Sequence, residues 1–231
     1  MHNNTLKQLL EAVREGRTSP EEALASIGQA LRDESVQGLT LDHGRRLRTG
    51  LGEVVFGPGK SADRLLQALS ALGREAPVLA TRLNAEQMRL ASERFPDGES
   101  WPESGLFALN AGLGPEPGGQ HIPEGFASLA VVTAGSSDMP VALEALGSAR
   151  FFGQDPALIC DVGVAGIHRL SPHLELLCSA KLLIVCAGME GALPSVVSGL
   201  TGRPILAVPT SIGYGVGAGG LAAIMGMLSS C

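Results

Sequence analysis

The sequence predicts an α/β protein: a parallel sheet covered by helices on both faces, preceded by a smaller α/β domain. Three observations carry this. From Ser128 onward the chain repeats one pattern about four times, an apolar run, then a glycine-rich or polar turn, then a helical stretch. The runs Leu182-Leu183-Ile184-Val185-Cys186 and Ile205-Leu206-Ala207-Val208 are apolar without interruption, as strands of a parallel sheet buried on both faces require. With 31 Gly but only 6 Phe, one Trp and one Tyr in 231 residues, the core must be Ala, Leu, Val and Ile packed around glycine turns.

Taken in order, Thr5 to Glu15 sets Leu6, Leu9, Leu10 and Val13 on one face at helical spacing. Thr18-Ser19-Pro20-Glu21-Glu22 opens a second helix, with proline in the first turn and acids against the dipole. Leu39 to Gly50 carries Arg45, Arg46 and Arg48. A strand from Glu53 to Phe56 leads into the turn Gly57-Pro58-Gly59-Lys60 and a helix from Ser61 to Leu72. Next come a strand from Val78 to Thr81, a helix from Asn84 to Arg94 and a loop from Pro96 to Pro102. Gly112 to Gly125 lacks any apolar period and includes Gly114-Pro115-Glu116-Pro117-Gly118-Gly119. The domain junction is placed there, giving a small α/β domain over 1–125 and the parallel-sheet domain over 126–231.

Bulk properties exclude some functions. A formal charge of −6 supplies no basic footprint, so nucleic acid is not an expected partner. No charged segment followed by an apolar run opens the chain. Val216 to Leu228 is broken by glycines and shorter than the ~20 residues of a spanning helix. A soluble cytoplasmic protein with no membrane partner is expected. Cys160, Cys178, Cys186 and Cys231 form no C-x-x-C pair, and no His stands at zinc-ligand spacing, so no metal site is expected. The first three cysteines read as buried small hydrophobes.

Ligands of open α/β sheets bind outside the carboxyl ends of the strands, which makes the strand-to-helix junctions the candidate site. The first places Ser136, Ser137 and Asp138 ahead of Pro140. Orphan helix N–H groups there suit an anion, and capping by Ser137 or Asp138 explains the same residues. The second brings Asp161, Gly163, His168 and Arg169 within a short stretch, so a carboxylate, an imidazole and a fixed cation can share one rim. A structural hydrogen bond is the other reading of His168. In the third, Gly188-Met189-Glu190-Gly191, the carboxylate between glycines suits an acid, a base or a water-orienting group, or else a surface charge opposing a helix dipole. The fourth carries Thr210, Ser211 and Tyr214. Gly215, Gly217 and Gly220 form a G-x-G-x-x-G, but no acidic residue follows about 20 positions on, so Rossmann-type dinucleotide binding is rejected.

The turns at Gly135 to Asp138 and Ile167-His168-Arg169, with the Ala-Gly-rich turn before Leu193-Pro194, resemble those of PurE-type aminoimidazole ribonucleotide carboxylases. A closer likeness, spanning nearly the whole chain, is to the LarB family of pyridinium-3,5-biscarboxylic acid mononucleotide synthases, which serve nickel-pincer cofactor assembly. It rests on Arg45, Arg48, Glu53-Val54-Val55-Phe56 and Gly59-Lys60 in the first domain. In the second it rests on Ala134 to Ala142, Asp161 to Arg169, Ala187 to Val197 and Val208 to Gly215.

The resemblance implies a three-layer αβα, flavodoxin-like domain of PurE type for residues 126–231. It also implies a reaction: nicotinic acid adenine dinucleotide is carboxylated with CO2 on its pyridinium ring, and its phosphoanhydride is hydrolysed to release AMP. In the family the cysteine closes a Met-Leu-x-Ser-Cys ending, matched here by Met227-Leu228-Ser229-Ser230-Cys231, which makes Cys231 the nucleophile. Glu190 takes the acid/base or water-activating role, and His168 and Asp138 follow as proton-transfer or positioning groups. Arg169, Ser136, Ser137, Thr210 and Ser211 would hold carboxylate or phosphate. Asp161, Gly163, Gly188, Met189, Gly191 and Tyr214 complete the substrate-binding set, with Arg45, Arg48 and Lys60 from the first domain. No tightly bound cofactor is implied, Mg2+ is left open, and a homo-oligomer, octameric by resemblance, is expected. Family members continue past the cysteine, so the C-terminal end reads as truncated relative to them. The alternatives are a PurE-like carboxylase or mutase, which needs neither Glu190, Cys231 nor so long a first domain, and a non-catalytic nucleotide-binding protein.

Overall fold

A computed structural model describes residues 2–30, 33–36, 39–74, 76–125 and 127–230, with side chains except at 2–5, 29–30, 33–36, 47–48 and 216. The chain divides into two compact units, Met1–Ser100 with Phe107–Ala111, and Trp101–Leu106 with Gly112–Cys231.

In the first unit, α1 (His2–Arg14) and α2 (Pro20–Ala30) lead. The Ser-Pro-Glu-Glu run builds a capping box: Ser19 Oγ accepts from Glu22 N–H at 3.1 Å, and the Glu22 carboxylate accepts from Ser19 N–H at 2.8 Å. An antiparallel hairpin follows, β1 (Asp33–Val36) against β2 (Leu39–Asp42). Next is α3 (Arg45–Thr49), ended by Gly50 in the left-handed region. Then come β3 (Val54–Phe56), α4 (Ala62–Leu72), β4 (Val78–Thr81), α5 (Ala85–Arg94), β5 (Glu99–Trp101) and β6 (Leu106–Leu109), with Trp101 and Leu106 of the last two strands counted in the second unit. The sheet order is β3-β4-β6-β5, with β3 parallel and β6 antiparallel to β4. Leu65, Ala68, Leu69 and Leu72 are buried along one face of α4, and they pack with Val55, Val78, Ala80 and Phe107 in a single core. The loop expected from Pro96 to Pro102 contains β5, a three-residue strand too short to show a period of two. Gly98 permits the close packing there: a Cβ at that position would lie 2.3 Å from Phe107 Cζ.

The second unit runs β7 (Leu129–Thr133), α6 (Met139–Phe151), β8 (Ala157–Ile159), α7 (Leu174–Ser179), β9 (Leu182–Ala187), α8 (Leu193–Thr201), β10 (Ile205–Pro209) and α9 (Leu221–Leu228). Its strands are all parallel in the order β10-β9-β7-β8, a PurE-like, flavodoxin-like α/β arrangement. From β7 the chain moves outward to β8, then returns past β7 to β9. The winding therefore reverses between β7 and β9, and the crevice at their carboxyl ends is where such sheets bind ligands. Ala130, Val132, Ile159, Leu183, Val185 and Val197 fill the core.

The run Ile205 to Val208 departs from expectation. It forms β10 at the sheet edge, and Leu206 is 53% exposed rather than covered. An apolar run does not reveal which strand of a parallel sheet lies outermost. At the opposite edge, His121 N–H donates to Leu158 O at 3.0 Å and Leu158 N–H donates to His121 O at 2.7 Å, so the glycine-rich segment covers β8. Arg150 binds this segment through Nη1 to the carbonyls of Leu113 (3.2 Å) and Pro115 (3.3 Å), while its guanidinium stacks 5.5 Å from the Trp101 ring centroid. Among the described residues no helix is long and apolar enough to cross a membrane.

Candidate active site

The carboxyl edge of the second unit's sheet is bound together by its own backbone. Ala134 N–H donates to Cys186 O and Thr210 N–H to Ala187 O, both at 3.0 Å, and Val162 N–H donates to Thr133 O at 3.1 Å. The Thr133 hydroxyl oxygen accepts the Asp161 N–H at 3.1 Å. The four candidate turns therefore lie along one rim.

At the β7 exit, Ser136–Asp138 forms a single 3-10 turn running into α6. Ser136 and Ser137 are exposed, whereas Asp138 is only 3% exposed. Its Oδ2 accepts the Gly135 N–H at 3.0 Å, and its Oδ1 accepts the Thr210 hydroxyl at 2.6 Å. Thr210 is itself 3% exposed. Of the polar side chains expected here, the serines face outward and Asp138 and Thr210 face one another.

At the β8 exit, Asp161 occupies the left-handed region at φ 56, uncommon for a residue with a side chain. Arg169 Nη1 lies 2.6 Å from Asp161 Oδ2, and Arg169 Nε donates to Gly166 O at 3.4 Å. A Cβ at Gly163 would lie 2.7 Å from the Ala134 carbonyl oxygen, so only glycine lets this turn close on β7. His168 is exposed beside Arg169.

At the β9 exit, Met189 sits at φ 52 and Gly191 at φ 67, and Met189 N–H donates to Ile212 O at 2.7 Å. Met189 and Glu190 are exposed, while Gly188 is buried. Helix α9 packs on this turn: a Cβ at Gly226 would lie 2.2 Å from Glu190 O, and one at Gly191 would lie 3.1 Å from Met227 Cγ. Ser230 then hydrogen-bonds Ser195 in α8 through their hydroxyls. Ser211 and Tyr214, the latter 81% exposed, point to solvent beyond β10.

The cysteines differ in setting. Burial, reinforced by Asp161 and then Glu103, pushes the Cys160 thiol up to about 11. Burial, then Asp138 and Glu144, pushes Cys186 up to about 12. Both stay protonated near neutrality and are poor nucleophiles there. Cys178 lies in α7, ahead of β9 and so toward the opposite end of the sheet. Cys231 lies outside the described residues.

In the first unit, Lys60 Nζ donates to Phe56 O at 2.9 Å, and Gln87 Nε2 donates to the carbonyls of Gly57 (3.0 Å) and Lys60 (2.9 Å). Lys60 thus closes its own turn, and buried Gln87 fixes it. Arg45 is exposed at the start of α3, and the Arg48 side chain lies outside the described residues. Sequence reading missed Thr133, Ile212 and Gln87 as organisers of these turns. A threonine ending the apolar run Val131-Val132-Thr133 is a readable signal for the first, and nothing local marks the Ile212 carbonyl. Among the described residues no group of three His, Cys, Asp or Glu is placed to hold a metal ion.

Comparison with known proteins accords with this architecture. The family model for the LarB/PurE-like N-terminal domain matches residues 33–111. An uncharacterized protein of Methanocaldococcus jannaschii is 32% identical over 234 residues, which cover 98% of this chain and 88% of that relative. With that likeness along the whole length and the matched N-terminal domain, the chain belongs to the LarB/PurE family, which points to an enzyme of the carboxylase type.

Proposed function

We propose that the protein carboxylates the pyridinium ring of nicotinic acid adenine dinucleotide with CO2 and hydrolyses its phosphoanhydride, giving pyridinium-3,5-biscarboxylic acid mononucleotide and AMP. The observation that carries this reading is the union, in one chain, of a LarB/PurE-like N-terminal domain with a parallel sheet whose switch-point rim presents Glu190, Arg169, Ser136 and Ser137.

A pyridinium cation is electron-poor and does not attack CO2. Addition of the Cys231 thiolate to ring carbon 4 moves a ring electron pair onto nitrogen and makes a dihydropyridine. Carbon 5 is then an enamine carbon, and its electron pair forms the new bond to CO2. A base removes the proton from that carbon, and departure of the thiolate with its bonding pair restores the aromatic ring. Separately, water attacks the phosphoanhydride and AMP leaves. Glu190, exposed on the β9 turn, serves as acid/base or water-orienting group, with His168 as the second proton carrier. Arg169 and the two serines hold anionic groups of the substrate. Two observations support Cys231 as the nucleophile: the high thiol values of Cys160 and Cys186, and the packing of α9, which leads toward Cys231, on the turn that carries Glu190.

The working form we propose is a homo-oligomer in the cytoplasm without a resident cofactor. Exposed Leu206 on β10 and exposed Leu221, Met225 and Leu228 on α9 support a self-associating face.

The test is incubation with nicotinic acid adenine dinucleotide and carbon-labelled bicarbonate, with and without Mg2+, beside a parallel incubation with aminoimidazole ribonucleotide. Label in the pyridinium product together with AMP is expected. Label in the imidazole alone, or in neither, overturns the reading.

A further inference from the structure

The bond between Asp138 and Thr210 joins residues 72 positions apart and crosses the end of a strand that neither belongs to. Asp138 follows β7 and Thr210 follows β10, with β9 between them in the sheet. The crossing is possible because a glycine, Gly188, directly follows β9. A Cβ on Gly188 would lie 2.7 Å from Thr210 Oγ1, 2.9 Å from Ile212 Cβ and 2.2 Å from Ile212 O. The Gly188 backbone is not in the left-handed region, so it is the close approach, and not the turn itself, that calls for glycine.

Three turns are tied through this point. Asp138 Oδ2 holds the Gly135 N–H and so sets the exposed serine pair. Thr210 N–H is held by Ala187 O, and two residues on, Ile212 O accepts the N–H of Met189, the residue before Glu190. Both Asp138 and Thr210 are shielded from solvent, and each carboxylate oxygen already has a donor. A buried carboxylate with both oxygens occupied is suited to holding backbone in place and poorly suited to exchanging protons with a ligand.

We infer that Asp138 and Thr210 are positioning residues: a carboxylate–hydroxyl latch over Gly188 that sets the Ser136-Ser137 turn and the Met189-Glu190 turn relative to each other. On this inference Asp138 transfers no proton, and the Thr210 hydroxyl binds no substrate anion. The latch rests on the reaction proposed above for its kinetic effect, but its structural effect is measurable without any reaction.

The experiment compares Asp138→Asn, Thr210→Ser, Thr210→Val and Gly188→Ala in the full chain, by turnover and by amide hydrogen exchange. Asparagine can still accept from Gly135 and donate to the threonine oxygen, so Asp138→Asn should keep kcat within about tenfold and leave the pH profile in place, whereas loss of a true acid/base group costs ~10²–10⁴-fold. Thr210→Ser should behave as the parent. Thr210→Val and Gly188→Ala should lower kcat by about 10²-fold, the scale of a 1 Å misplacement, and speed exchange in peptides spanning 133–139 and 188–191 but not in β8. A parent chain with no activity on the proposed substrate would sink that reaction, and the exchange measurement would still decide the latch. The latch is overturned if Asp138→Asn abolishes turnover with parent-like exchange, or if Thr210→Val leaves exchange in both turns unchanged.

Discussion

Arg169 Nη1 stands 2.6 Å from Asp161 Oδ2, and this pair fixes the one guanidinium that the β8 exit offers to the rim. Both side chains are partly exposed, at 41% and 58%, so the pair contributes little to folding and its effect is on orientation. Asparagine tolerates the left-handed backbone of residue 161, which makes Asp161→Asn a clean probe. Unfolding free energy should change by less than ~1 kcal/mol. KM for the dinucleotide should rise about tenfold with kcat little altered, as expected when a binding group is mis-aimed. Arg169→Lys should be at least as severe, because one ammonium cannot reproduce the fork that holds both Asp161 and the Gly166 carbonyl. Steady-state kinetics and a urea melt check all three.

Glu190 is exposed and follows exposed Met189 on a turn bounded by the buried glycines Gly188 and Gly191, so replacing it should not disturb the core. Glu190→Gln is expected to melt like the parent and to lose ~10²–10⁴-fold in kcat, the range for a general acid or base. AMP release and label incorporation, followed separately, show which half-reaction it serves. A variant with parent rates in both halves removes Glu190 from the chemistry.

The high values of Cys160 and Cys186 carry an alkaline signature. A thiol with an ordinary value of 9.0 when unfolded and about 11 or 12 when folded holds its proton more tightly in the folded state. That stabilisation is fully present below about pH 9 and is lost as the pH climbs through the folded values. Urea midpoints should therefore fall between about pH 9 and pH 11, and the slope should be shallower in Cys186→Ala. An unchanged slope contradicts the assignment.

Gly147 tests packing in α6. Alanine in place of a mid-helix glycine ordinarily stabilises by ~0.5–1 kcal/mol. Here a Cβ would lie 2.3 Å from Leu106 Cδ1 and 2.9 Å from Trp101 Cζ3, and both of those side chains are fully buried. Overpacking costs ~1–3 kcal/mol, so the sign reverses and Gly147→Ala should destabilise. A denaturant melt with an unchanged m-value and a lower midpoint is the expected record.

How much of this was legible in the sequence depended on range. The helix from Ser61 to Leu72, the strand Leu182 to Cys186 and the helix from Asn84 to Arg94 are local patterns, and each forms within a residue of the expected ends. β5 and β6 are short, and the pairing that makes them strands is not a local pattern. The exposure of Leu206 depends on strand order, which an apolar run does not encode. At the rim, the turns were readable from glycines and capping residues, but the partner of Asp138 was not, because Thr210 reaches it only after three strands are laid side by side. Lys60 reads as a ligand contact, and its amine also donates to the Phe56 carbonyl of its own turn, a bond that charge alone does not reveal.

Intact-protein mass spectrometry of enzyme quenched during turnover probes the carbon-donor step itself. With nicotinic acid adenine dinucleotide and bicarbonate present, a fraction of the chain should carry the mass of the pyridine nucleotide, mapped by proteolysis to Cys231 and absent from Cys231→Ser, which should form no carboxylated product. Unmodified thiol at every time point, with product still accumulating in Cys231→Ser, would contradict a covalent sulfur intermediate.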